Sequence, residues 1–153
     1  MLKHIGTIDV PRENIDILTN SLASTPNAMA YSGHTRHRKK MVDFGANVYE
    51  FQGPGSIHAK SYIFDGRISL VGSFNMDSRS TYLSTETMVV IDSKEFANHL
   101  KKVIKDNSNN SLKVLEDYSY EYNSAVEEGE VPLNKVIKIR ILSIITYLFD
   151  YML

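Results

Sequence analysis

The chain has 153 residues, of which 42% are hydrophobic and 23% charged; this is ordinary globular usage, which excludes a disordered chain and an integral membrane protein and leaves room for one domain. Seventeen Lys and Arg against eighteen Asp and Glu give a formal charge of −1, so any attraction to phosphate has to come from a local cluster and not from the overall field. The absence of cysteine removes disulfides, thiolate metal sites and cysteine nucleophiles.

In chain order, Met1-Leu2-Lys3-His4-Ile5-Gly6 has no apolar run behind its lysine and does not read as a secretory signal, so a cytoplasmic location is expected. Ile15-Asp16-Ile17-Leu18 followed by Thr19-Asn20-Ser21 predicts a short buried strand that ends in a polar loop. From about Ala30 to Phe44 the pattern favours a helix, with Gly45 as its C-terminal stop. Asn47 to Phe51 reads as a second strand, closed by the turn signal Gln52-Gly53-Pro54-Gly55-Ser56. Ile57–Phe64 and Arg67–Phe74 flank Asp65-Gly66, a strong hairpin signal, and are expected to be antiparallel strands. Glu86 to Asp92 continues as a strand, and Ser93 with Glu95-Phe96 opens a helix that is expected to reach about Lys105. Asp106 to Ser111 breaks it; a tyrosine-rich acidic stretch then runs to Glu130, and Pro132 enters an apolar tail. This order implies an α/β (α+β) sandwich, a mixed sheet flanked by helices, with the domain over residues 1–127 and a tail helix over 128–153.

The chemistry concentrates around the hairpin. His58 and Lys60, two residues apart on an expected strand, project from one face, and Ser73 and Asn75 on the returning strand are expected to come level with them. Such a set suits attack on a phosphodiester: a neutral imidazole supplies the nucleophile, while ammonium, hydroxyl and amide donors hold the non-bridging oxygens as charge develops. It requires no metal and no cofactor. Glu86 is expected to accept the second ring N–H of His58, fixing its tautomer and stabilising a phosphohistidine.

His58, Lys60, Asp65, Gly72, Ser73 and Asn75 spell H-x-K-x4-D-x6-G-S-x-N, which resembles the HKD signature of the phospholipase D superfamily. Ile17-Leu18-Thr19-Asn20-Ser21-Leu22, Asn47-Val48-Tyr49-Glu50 and Asp77-Ser78-Arg79-Ser80 further resemble the second half of bacterial cardiolipin synthase-like phosphatidyltransferases. The resemblance runs from about Ile15 to Asp92. It implies a single half-domain of that fold, His58, Lys60, Ser73, Asn75 and Glu86 as site residues, and a phospholipid substrate. Members of that branch carry two such motifs in one chain, whereas here His4, His34, His37 and His99 have no matching context. A complete site therefore calls for a second half, by homodimerisation or from a separate N-terminal half. A homodimeric metal-independent nuclease of the same superfamily is the alternative, as is a catalytically incomplete half. The near-neutral charge and the apolar tail make nucleic acid the less favoured substrate.

Asp65 is explained by the turn itself. The run Arg36-His37-Arg38-Lys39-Lys40 reads as a solvated helix face, with steering of an anionic head group as the second option. Asp77 and Arg79 either pair structurally or line the site entrance. In the tail, Lys138, Arg140 and Asp150 interrupt the apolar residues, leaving too short a stretch to span a bilayer. A helix from about Leu133 to Leu153 with Lys135, Lys138 and Arg140 fits either packing on the domain or an interfacial position on anionic lipid, the latter at the inner membrane face.

Overall fold

The computed structural model describes residues 10–26 and 28–148. The expectations at Met1–Gly6 and beyond Leu148 lie outside them. After a 3-10 turn at Arg12–Asn14, the chain forms β1 (Asp16–Asn20), α1 (Ala28–Asp43), β2 (Asn47–Phe51), β3 (Ser61–Phe64), β4 (Ile68–Gly72), α2 (Ser78–Tyr82), β5 (Met88–Asp92), α3 (Lys94–Ser108), β6 (Ser111–Lys113) and α4 (Leu133–Leu148). The architecture is α+β, with two three-stranded sheets: β1-β2-β6 is mixed and β3-β4-β5 is antiparallel.

Local chemistry accounts for most boundaries. Gly45 has φ +93° and its N–H bonds the Val42 carbonyl, which ends α1 where a side chain would be strained. Asp65 and Gly66 have φ of +51° and +61°, the two left-handed residues of a hairpin turn whose twist matches its strands. The Ser93 hydroxyl accepts the Phe96 N–H and caps α3. That helix extends to Ser108, past the expected end, because Asn107 and Ser108 donate to the Val103 and Lys105 carbonyls and satisfy its last turn.

The first sheet is anchored by Val48, which is fully buried beside Met41 and Val114, with Ile17, Val42 and Tyr120 against them. Glu50 is buried at 0% exposure in the same strand. Its carboxylate accepts Arg38 Nε at 2.8 Å and the Tyr120 hydroxyl. Arg38 also lies over the Tyr120 ring, 5.6 Å from its centroid. The basic run of α1 is thus not uniformly a solvated face: its middle arginine neutralises a buried acid, which a carboxylate at zero exposure requires. Burial and the nearby Glu50 charge push the Tyr31 and Tyr120 hydroxyls well above the ordinary tyrosine range. Helix α4 packs along α1, burying Ile139, and Lys135 Nζ donates to the Ala23 and Thr25 carbonyls at 3.3 and 2.8 Å. The packed arrangement is therefore the one α4 adopts.

Candidate active site

The strands around the motif are shorter than expected, and this changes how the side chains are aimed. β3 starts at Ser61 and β4 stops at Gly72, so His58 and Lys60 precede one strand while Ser73 and Asn75 follow the other. Continuing the register, in which Ser61 pairs with Val71, would place Ser73 opposite Ala59, on the face away from Lys60. The Gly72 N–H bonds the Lys60 carbonyl at 3.1 Å and the Ser73 N–H the Thr87 carbonyl at 3.0 Å, one pair beyond each end of the assigned ladders. Past these bonds Ser73 meets Glu86, and the Lys60 charge acts on the same carboxylate.

Ser73 Oγ donates to Glu86 Oε2 at 2.5 Å and accepts the Thr87 N–H at 3.1 Å. Hydrogen bonds from Ser73 and from Ser80 hold the Glu86 carboxyl below the ordinary carboxylate range, with the positive charges of Arg79 and Lys60 acting in the same direction. The expected bond from Glu86 to the second ring nitrogen of His58 is replaced by these two serines, so Glu86 organises the serine side of the cluster.

His58 is exposed and Lys60 half-buried. Lys60 Nζ donates to the His58 carbonyl at 2.9 Å and lies 3.1 Å from Nδ1 and 3.0 Å from Nε2. The two ring nitrogens point in opposite directions, so an ammonium equidistant from both lies over the ring face and not on either lone pair. Asn75 is exposed just beyond the β4 end.

Three positioning features are not signalled by the sequence. The Asn20 side chain at the end of β1 donates to the Ile57 carbonyl and accepts the Ile57 N–H, both at 2.8 Å. This two-bond clasp ties the residue before His58 to the first sheet, although Asn20 lies 37 positions away. Gly72 is required by close approach: a Cβ there would stand 2.0 Å from the Thr87 carbonyl oxygen and 2.6 Å from Met88 Sδ. Tyr62, from β3, donates its hydroxyl to the Phe74 carbonyl at 2.9 Å and steadies the segment between Ser73 and Asn75. Asp77 caps α2 by accepting the Ser80 N–H at 2.7 Å, which makes its role structural and holds Ser80 beside Glu86. Arg79 is exposed on the same short helix.

A cavity of about 400 Å3 adjoins the approach to the motif, lined by Ser24, Thr25, Gln52, Ser56 and Glu130 among others. Gly129 N–H donates to Gln52 Oε1 at 3.1 Å, drawing the acidic segment onto this loop. His58 itself stands outside the cavity lining.

Comparison with known proteins identifies the family to which this domain belongs. Residues 11–107 match the model of the cardiolipin synthase, phospholipase D-like domain, and the chain belongs to that family. An uncharacterised protein of Helicobacter pylori is 37% identical over 128 residues, covering 75% of this chain and 26% of its own length. Cardiolipin synthase C of Escherichia coli is 37% identical over 105 residues, 58% of this chain and 22% of that protein. Cardiolipin synthase A of Erwinia tasmaniensis is 44% identical over 67 residues, 44% of this chain and 14% of that protein. The matched regions thus span about a quarter or less of the length of these relatives.

Proposed function

We propose that the chain is a phospholipase D-type half-module that acts on phospholipid phosphodiesters through a phosphohistidine, and that it completes its site with a second such half. The observation that carries this reading is the exposed His58 with the Lys60 ammonium 3.0–3.1 Å from its ring nitrogens, and the Ser73–Glu86 pair on whose carboxylate the Lys60 charge acts. One ring nitrogen of His58 attacks phosphorus; the P–N bond forms as the P–O bond to the departing alcohol breaks. Lys60 turns its ammonium to the non-bridging oxygens, where it opposes developing negative charge, and Ser73 and Asn75 add donors to the same oxygens. The histidine of the second half protonates the leaving alkoxide and then takes the proton from an incoming alcohol or water, which breaks the P–N bond and frees His58. With an alcohol the outcome is phosphatidyl transfer, and with water hydrolysis. Because His58, Ser73 and Asn75 are all exposed, the cluster is open on the side where a second half would close it. Such a substrate resides in a bilayer, so the module works at the inner membrane face.

The test is turnover of labelled phosphatidylglycerol, cardiolipin and single-stranded DNA by the purified chain, alone and with a candidate N-terminal half. His58→Ala is expected to abolish lipid turnover, by about 10⁴-fold for loss of a nucleophile, and Lys60→Ala to be nearly as severe. If two copies share one site, mixing His58→Ala protein with wild type at equal amounts leaves about a quarter of the activity of the same total amount of wild type, since only pairs of wild-type chains carry both histidines. Retained activity in His58→Ala would overturn the assignment, and cleavage of DNA in preference to lipid would move the substrate class.

A further inference from the structure

The strongest feature not used by the proposed chemistry is the outer face of α4. Its inner face packs on α1, with Ile139 only 5% exposed. The opposite face presents Leu133 at 74%, Ile137 at 51%, Ile141 at 56% and Ile144 at 72% exposure. At roughly 100° per residue these four fall within an arc of about 80°. On the same helical wheel Arg140 lies just outside one edge of the stripe, about 20° from Leu133, and Lys138 beyond the other, about 60° from Ile141. Both are exposed. From Leu133 to Leu148 the helix contains no acidic residue. The acids Glu127, Glu128 and Glu130 lie before Pro132, at the end where the helix starts, away from the two turns that carry Lys138, Arg140 and Ile141.

We infer that this stripe is a docking face for the surface of an anionic lipid bilayer. An apolar band bordered on both edges by unopposed cations is the pattern of a helix that lies in the interface: the isoleucines enter the acyl boundary while Lys138 and Arg140 reach the phosphates at its rim. No helix among the described residues is long and apolar enough to cross a membrane, so the face engages the bilayer from one side. A water-exposed protein partner would leave the flanking cations without a purpose, whereas an anionic surface uses both parts. The position also matters. Lys135, two residues from the stripe's start and on the far side of the helix, holds the Ala23 and Thr25 carbonyls, and Thr25 shares the wall of a cavity with Gly55 and Ser56, two to three residues from His58. The helix is thus fixed to the body of the domain through its inner face, and the stripe is left facing outward. The choice of lipid as substrate rests on the function proposed above, but the docking face does not.

The experiment is co-sedimentation of the full chain with vesicles of phosphatidylcholine alone and of phosphatidylcholine with phosphatidylglycerol, at low and high salt. Wild type is expected to bind the anionic vesicles selectively, with selectivity falling as salt rises. Lys138→Glu with Arg140→Glu should weaken that binding by about thirtyfold or more, at roughly fivefold for each lost cation near the surface. Ile137→Asp with Ile141→Asp should abolish it while circular dichroism stays that of wild type, because both side chains are already exposed. His58→Ala should bind as wild type does, which separates failure of this inference from failure of the catalytic reading. Binding that is absent, or equal in the charge-reversed and wild-type chains, would overturn the inference. So would stripe variants that convert an oligomer to a monomer in light scattering, which would make the face a protein interface.

Discussion

Gly72→Ala tests whether the site depends on one close approach between β4 and β5. The alanine Cβ would stand 2.0 Å from the Thr87 carbonyl oxygen, 2.6 Å from Met88 Sδ and 2.9 Å from Met88 Cα. The sulfur can swing aside, but the two backbone atoms belong to the paired strand and can move only if the ladder opens. Opening it strains the bond from Gly72 N–H to the Lys60 carbonyl and that from Ser73 N–H to the Thr87 carbonyl. Two weakened backbone bonds at about 1 kcal/mol each, plus overpacking of about 1–3 kcal/mol, give a destabilisation of roughly 3–5 kcal/mol. Urea unfolding followed by circular dichroism measures it, with Gly66→Ala as the control. Gly66 has φ +61° and open space where a Cβ would go, so that change costs only about 1 kcal/mol for the left-handed backbone. A Gly72→Ala midpoint indistinguishable from wild type, or a larger effect at Gly66, would refute the reasoning.

Asn20→Ala removes both bonds to Ile57 and should cost about 1–3 kcal/mol; amide exchange is expected to accelerate at Ile57 and leave β2 protected, and uniform exchange across the chain would count against a local clasp. Arg38→Met leaves the Glu50 carboxylate buried without its cation and should destabilise by about 3–5 kcal/mol, measured by the same unfolding, while Arg38→Met with Glu50→Leu should recover much of the loss. The Glu86 carboxyl is held below its ordinary value by Ser73 and Ser80, the Asp92 carboxyl by Arg67 and the Asp117 carboxyl by Ser119. Each contributes stability that is fully present above the unfolded value of about 4 and is lost as pH falls through the lower folded value, so the melting temperature should drop below about pH 4; in Ser73→Ala the Glu86 share of that drop should shrink.

Where local chemistry decides, the sequence was legible. Asn47–Phe51 is a strand residue for residue, Gly45 ends its helix, and Asp65-Gly66 forms the hairpin turn. Each of these depends on neighbours a few positions away. β6 has only three residues, Ser111–Lys113, too few to show a period of two, and its antiparallel pairing with β2 is fixed by tertiary contact. α2 has five residues and is signalled only by its cap, Asp77 ahead of Ser80. At the site, the residue types were legible and their aim was not. Strand alternation sets the direction of a side chain only while the ladder continues, and here it stops at Lys60 and Gly72. Glu86 was expected beside His58 from its place at the start of the next strand, but the Ser73 and Ser80 hydroxyls bond its carboxylate. The Asn20–Ile57 clasp joins segments that no spacing rule connects.

Placing the side chains of the motif at and beyond the ends of the ladder has a mechanical consequence. A residue inside a strand has its direction set by backbone pairing on both sides, and its neighbours' side chains alternate away from it. His58, Lys60, Ser73 and Asn75 would then be split between two faces of the sheet, as the register from Ser61–Val71 implies. Beyond Lys60 and Gly72 the β3–β4 ladder no longer fixes the direction of His58, Ser73 and Asn75, and other bonds must hold them. Three substitutes are present: the Asn20 amide holds the backbone before His58, the Tyr62 hydroxyl holds the carbonyl before Asn75, and Glu86 holds Ser73. All three are side-chain bonds, each breakable by one substitution without opening a core. A change at Asn20, Tyr62 or Glu86 should therefore lower turnover more than it lowers stability, whereas a change at Val48 or Glu50, fully buried in β2, should unfold the domain first.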